Sequence, residues 1–372
     1  MKKVVIVFGT RPEAIKMAPV VKTFRSDPRF ETVVCVSGQH RSMLDQVLSA
    51  FDIVPDIDLK VMRPGQTLTD VTVNVLQGVS DVLSAAKPDM VLVHGDTTTA
   101  MAAATAAFYQ QVPVGHVEAG LRTHNMWQPW PEEMNRCVID LFARWLFAPT
   151  ETARTALLAE RIPEERIVVT GNTVIDALLI ASERIRTDPA VKRLCKDQFP
   201  FLQPDKRLVL VTAHRRENFG GGLRGIYEAL ARLARRGDVQ IVYPVHLNEN
   251  VRRAASEILS GVEGVFLIEP LEYLPFVYLM NRSHIIVTDS GGIQEEAPAL
   301  GKPVLVTREV TERPEAVAAN AARLVGTDTA RIVAETELLL DSPDEYRKVS
   351  CAESPYGDGR AAQRIVETLA NF

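Results

Sequence analysis

Short runs of consecutive apolar, often β-branched residues recur along the chain, separated by longer stretches in which apolar residues return at helical spacing. A first series of runs is Val4–Phe8, Thr32–Ser37, Met90–His94, Val114–Val117, Trp145–Ala148 and Ile167–Thr170. A second is Leu208–Ala213, Gln240–Val245, Val265–Ile268, Ile285–Thr288 and Pro303–Thr307. Runs that do not alternate with polar residues predict strands buried on both faces, and helices between them predict parallel sheets. Two series predict two doubly wound α/β domains with ligand sites beyond the carboxyl ends of the strands. The junction is expected near Gly171–Asn172, giving domains 1–171 and 172–355, or along the charged helix that follows to about Asp205. The last segment, about 356–372, reads as a turn and an amphipathic helix able to cross back onto the first domain.

The length of 372 residues fits two such domains of roughly 150–200 residues each. A net charge of −5 disfavours a broad nucleic-acid surface. The run Val4–Phe8 is too short for a signal sequence, and no apolar stretch approaches the ~20 residues a bilayer span needs. The four cysteines (Cys35, Cys137, Cys195, Cys351) form no paired motif and read as reduced thiols. Together these predict a cytoplasmic protein without membrane insertion, nucleic-acid partner or structural metal.

The chemistry-bearing residues gather at strand ends. Gly9-Thr10-Arg11-Pro12-Glu13 has capping-box spacing after the first strand and places a helix N-terminus there, which favours anions. Arg11 and Lys16 add positive charge; the alternative is a simple turn with solvated charges. The G-x-G-x-x-G spacing of a dinucleotide fold is absent from this first turn, which disfavours NAD. Asp96 follows the third strand, as a helix cap or as a catalytic acid. Glu118 closes the fourth strand, where a buried charge is costly, and a salt bridge to Arg122 is the plainer explanation. Glu132 and Glu133 open a helix after Pro131, where the dipole favours them. Arg136 lies one turn on, so a carboxylate–guanidinium cluster is possible. Several carboxylates in one domain suit a reaction with more than one proton transfer.

In the second half, His214-Arg215-Arg216-Glu217-Asn218 and the run Gly220–Gly222 read as a flexible basic loop suited to an anionic leaving group. Ser290-Gly291-Gly292 between strand and helix makes a cradle of backbone N–H groups for phosphate. Glu296 falls in that helix within reach of ribose hydroxyls, and Phe276 offers an apolar contact to a base. His40 and His246 also close strands and read first as structural histidines.

The motifs FGTRPEAIKMAP, VLVHGDTTT, GHVEAGLRT, PWPEEMNR, TGNTVIDAL, HRRENFG, YPVHLN and TDSGGIQEEAPALGKPVLV resemble the non-hydrolysing UDP-N-acetylglucosamine 2-epimerases over nearly the whole chain. The resemblance implies a GT-B-type pair of Rossmann-like domains, a homodimer, and an active cleft between the domains. It implies inversion of carbon 2 of UDP-N-acetylglucosamine without a cofactor, by loss of UDP to 2-acetamidoglucal and re-addition. It carries catalytic roles onto Asp96, Glu118, Glu132 and His214. Arg11, Lys16 and Arg136 would hold diphosphate and sugar; Ser290, Gly291 and Gly292 the phosphate; Glu296 the ribose; Phe276 and Arg313 the nucleotide end. Leu271, where some members have Gln, would contribute only backbone. A second, regulatory UDP-N-acetylglucosamine would touch Gln39, Gln66, Glu132, Arg215 and His246. A GT-B glycosyltransferase, a hydrolysing epimerase and a non-catalytic sugar-nucleotide sensor are the competing readings.

Overall fold

The computed structural model describes residues 1–38, 41–63 and 65–372. The chain forms two compact units, one of residues 1–180 with 356–372, the other of residues 181–355.

The first unit carries a seven-stranded sheet. Its strands are β1 (Lys2–Phe8), β2 (Phe30–Val36), β3 (Ile57–Asp58), β4 (Met90–His94), β5 (Val114–Val117), β6 (Trp145–Ala148) and β7 (Ile167–Val169). All pair in parallel, in the order β3-β2-β1-β4-β5-β6-β7. The order reverses between β1 and β4. The loops leaving these two strands therefore diverge to opposite faces and open a crevice at their carboxyl ends. Residues Val4 to Phe8 and Met90 to Val93 are fully buried, as expected for strands covered on both faces.

The second unit holds a six-stranded parallel sheet of β8 (Arg207–Thr212), β9 (Val239–Pro244), β10 (Val265–Ile268), β11 (Ile285–Thr288), β12 (Val304–Val306) and β13 (Ala322–Leu324). The order is β10-β9-β8-β11-β12-β13, with its reversal between β8 and β11. Two short edge strands, β3 and β13, escape the sequence pattern; two or three residues carry too little periodicity to register.

The final helix, Ala361–Ala370, belongs to the first unit. The Asp176 carboxylate accepts from the N–H groups of Ala361 at 3.2 Å and Ala362 at 2.8 Å, a charge placed at a helix N-terminus. At the other end, Lys2 Nζ donates to the carbonyls of Leu369 and Ala370, both at 3.1 Å, where helix carbonyls lack intrahelical partners.

Candidate functional site

In the first unit, the helix Arg11–Ser26 starts directly after β1 with a capping box between Thr10 and Glu13. Glu13 is 2% exposed. Its carboxylate accepts from the N–H groups of Gly9 (3.0 Å) and Thr10 (2.7 Å) and from the Thr97 hydroxyl (2.7 Å). One acid thus ties the turn after β1 to the turn after β4. Arg11 lies at the start of this helix. Lys16, further along, pairs with the Glu118 carboxylate from the turn after β5.

Glu118 has φ of 65°, the left-handed region that side chains other than glycine seldom adopt. Asn172 Nδ2 donates to the same carboxylate at 3.0 Å, and His94 Nε2 lies 3.7 Å from it. The expected alternative, a pair with Arg122, is not formed: Arg122 bonds Asp140 at 2.8 Å and Glu160 at 2.6 Å. The charge of Glu118 is instead matched by Lys16, so its placement is not explained as an anchor for its own loop.

Asp96 follows Gly95, itself at φ 65°. Its carboxylate pairs with Arg136 and its carbonyl accepts from Asn135 Nδ2 at 2.8 Å. Burial raises the Asp96 carboxyl above the usual range, against the opposing pull of Arg136; Glu118 and Glu132 push in the same direction as burial. Glu132 and Glu133 begin the helix Glu132–Phe142, as their sequence position predicts. They divide their work. Glu133 is buried and accepts from the N–H groups of Thr123 and His124, both at 2.9 Å. Glu132 is partly exposed and near enough to Asp96 to bear on its charge. The cluster on this helix therefore joins Arg136 to Asp96 and, at 3.5 Å, to Glu133.

In the second unit, His214 and Arg215 follow β8. Their N–H groups donate to Asp289 Oδ2 at 2.8 and 2.7 Å, and Asn218 Nδ2 adds a third bond at 3.1 Å. Asp289, fully buried at the end of β11, thereby shapes the whole loop. The His214 ring stacks on His246, centroids 5.0 Å apart. Burial lowers the His214 pKa, helped by His246 and Arg215 and opposed by Asp289. The glycines behind it are not a flexible loop: Gly221 and Gly222 open the helix Gly221–Ala234. Further along this helix, a Cβ on Gly225 would sit 2.3 Å from the Thr327 carbonyl oxygen, so the helix packs directly against that backbone.

Ser290 caps the helix Gly291–Ala299 without a side-chain bond to it. A Cβ on Gly291 would meet only Arg215 Nη2, at 3.7 Å, and one on Gly292 only Ser290 Oγ, at 4.0 Å. An open helix start with a guanidinium beside it has the chemistry to receive an anion. Glu296 lies in this helix, 9% exposed. Arg313 pairs with Glu295, and Thr311 Oγ1 donates to Gln294 at 2.5 Å, which pins the loop after β12 to the helix. Leu271 and Phe276 are partly exposed, Phe276 within the helix Tyr273–Arg282.

Of the regulatory positions, Gln39 lies outside the described residues, as does His40. Gln66 Oε1 accepts from the Arg63 N–H at 2.7 Å. Arg215 and His246 stand with His214 around the cradle. Sequence reasoning missed Asp140, Asn135 and Asn172, and gave Asp289 no role. Asp140 had a signal: an acid on an otherwise apolar stretch, Cys137-Val138-Ile139-Asp140-Leu141-Phe142, is costly unless paired.

The family model of UDP-N-acetylglucosamine 2-epimerase matches residues 22–370. The UDP-N-acetylglucosamine 2-epimerase of Salmonella typhimurium is 57% identical over 371 residues, covering 100% of this chain and 99% of that protein. The crystal structure of the Neisseria meningitidis UDP-GlcNAc 2-epimerase bound to UDP-GlcNAc superposes with a TM-score of 0.90 at 52% identity, covering 100% of both chains. That of the Methanocaldococcus jannaschii enzyme in complex with UDP-GlcNAc and UDP gives 0.79 at 32% identity, again over 100% of both. Two Rossmann-like sheets of GT-B type agree with these matches over the full length: the chain belongs to the UDP-N-acetylglucosamine 2-epimerase family.

Proposed function

We propose that this chain inverts carbon 2 of UDP-N-acetylglucosamine, giving UDP-N-acetylmannosamine, by eliminating UDP and adding it back. The observation that carries the reading is the pair of acids at the ends of neighbouring strands, Asp96 after β4 and Glu118 after β5, each held by its own cation, Arg136 and Lys16. Carbon 2 has no adjacent carbonyl, so its proton is not acidic. Departure of the diphosphate gives carbon 1 cationic character and acidifies that proton. A carboxylate takes the proton as the carbon 1–oxygen bond breaks, its electron pair leaving with UDP, and a carbon 1–carbon 2 double bond forms. The product of this half is 2-acetamidoglucal. Protonation of carbon 2 on its other face and attack of the UDP oxygen on carbon 1 complete the inversion. Asp96, Glu118 and Glu132 serve the proton transfers.

Ser290, Gly291 and Gly292 take phosphate, and Arg11, Lys16 and Arg136 take the diphosphate and the sugar side, as the family resemblance implies. Glu296, Phe276, Arg313 and the Leu271 backbone take the nucleoside. A diphosphate beside His214 favours its protonated ring, which can donate to the departing oxygen. No helix of the described residues is long and apolar enough to cross a membrane. The reading extends to a cytoplasmic homodimer answering to a second UDP-N-acetylglucosamine through Gln39, Gln66, Glu132, Arg215 and His246. The stacking of His246 on His214 supports a link between that second ligand and the leaving-group histidine.

The test is proton NMR of UDP-N-acetylglucosamine with the protein in D2O and no acceptor. Deuterium at carbon 2 and a mixture of gluco and manno UDP-sugars are expected. Retained hydrogen at carbon 2 would refute proton abstraction, free N-acetylmannosamine would mean hydrolysis, and turnover only with an added acceptor would mean glycosyl transfer. Asp96→Asn and Glu118→Gln should each abolish exchange while UDP still binds.

A further inference from the structure

His116, in β5, is fully buried. Its Nε2 lies 2.7 Å from the Gly95 carbonyl oxygen and its Nδ1 2.6 Å from Asp140 Oδ1. A carbonyl oxygen has no proton to give, so Nε2 donates. Asp140 Oδ2 accepts from the Gly120 N–H at 3.2 Å and from Arg122 at 2.8 Å. Burial alone would raise the Asp140 carboxyl; His116 and Arg122 outweigh it and hold it below the usual range. With the Arg122 guanidinium and the Gly120 N–H both on Oδ2, Asp140 is a carboxylate, and Nδ1 donates to its other oxygen. A neutral ring would turn a lone pair toward one of these oxygens at under 3 Å, which hydrogen bonding does not tolerate.

We infer that His116 is held as an imidazolium in a sealed ion pair with Asp140, and that this pair is a positioning device for the two strand-end acids. The reach of the pair supports this. His116 fixes the Gly95 carbonyl, one residue before Asp96. Asp140 fixes the Gly120 N–H, two residues after Glu118. Asp140 itself rides on the helix Glu132–Phe142, which also supplies Asn135 and Arg136 to Asp96. One buried charge pair thus sets three elements at one spacing, and neither member needs to touch substrate. A positioning error of about 1 Å costs on the order of a hundredfold in rate. The inference rests on the reading of Asp96 and Glu118 as the groups that work at carbon 2.

Nitrogen NMR of the full chain labelled at histidine reads the ring directly, with His116→Gln used to assign the signal. Two protonated ring nitrogens are expected; a single one overturns the ion pair. Asp140→Asn removes the counter-charge. It should cut kcat about a hundredfold while KM for UDP-N-acetylglucosamine and UDP affinity stay within about twofold, the split expected when geometry rather than binding is lost. An Asp140→Asn protein with kcat close to the parent overturns the positioning role. If that variant does not accumulate folded, the ring signal of the parent still decides. If the parent itself places no deuterium at carbon 2, the functional reading fails, and the ring measurement stands apart from it.

Discussion

His94 Nε2 lies 3.7 Å from the Glu118 carboxylate, and neither ring nitrogen has a hydrogen-bond partner among the described residues. Burial pushes its pKa from 6.5 down to about 3, against the pull of Glu118. Its folded value lies below its unfolded one, so acid favours the unfolded chain. The stability this residue contributes is present above pH 6.5 and is lost as pH falls toward 3. Between pH 7.5 and pH 5 the loss is about 2 kcal/mol. His94→Leu should therefore show a smaller fall in melting temperature between those pH values than the parent. An equal fall would mean that His94 does not titrate as its surroundings dictate.

The Arg136–Asp96 pair has a kinetic signature. Burial raises the Asp96 carboxyl and Arg136 lowers it. Arg136→Gln removes the lowering influence, so Asp96 should give up its proton only at higher pH. The acid limb of the kcat/KM profile should move upward, with activity recovering toward alkaline pH. A profile unchanged in shape but scaled down would assign Arg136 to substrate binding alone.

Glu13 satisfies three donors from two strand-end turns while almost wholly buried. Glu13→Ala leaves those donors without their acceptor and should destabilise the protein by about 3 kcal/mol or more. Glu13→Gln, which retains one acceptor oxygen, should fall between. Thermal melts of the three proteins check the order.

Gly120 has φ of 85°, and a Cβ there would lie 2.5 Å from the Ala153 carbonyl. Gly120→Ala combines an unfavourable backbone region with a backbone clash and should cost about 3 kcal/mol. It should also lower the rate beyond what the loss of folded protein explains, since the Gly120 N–H is a fixed point for Asp140. Active-site titration with UDP separates the two effects.

The strands and the strand-end positions of Asp96, Glu118, His214 and Ser290 were legible because an unbroken apolar run ending in a polar residue has few other meanings. Partnerships were less so. The Glu118–Arg122 pair looked natural at a separation of four, but Arg122 turns to Asp140 and Glu160. Its place is taken by Lys16, 102 positions away in the chain, a pairing created by β1 and β4 lying beside each other and β4 beside β5. Periodicity carries no information about such contacts. Likewise the Gly220–Gly222 run looked mobile in isolation; its neighbour Gly225 is small because the Thr327 backbone crosses it.

The closure of the first unit by its last helix orders events during synthesis. Lys2 bonds the final turn of Ala361–Ala370, and Asp176 bonds its first. A chain leaving the ribosome therefore extrudes its opening sheet, then the whole of residues 181–355, before the cover for that sheet's first helix arrives. At typical elongation rates the wait is on the order of ten seconds. The later-made unit can settle first, while the earlier-made one stays open at one side and exposed to chaperones until the Ala361–Ala370 helix emerges.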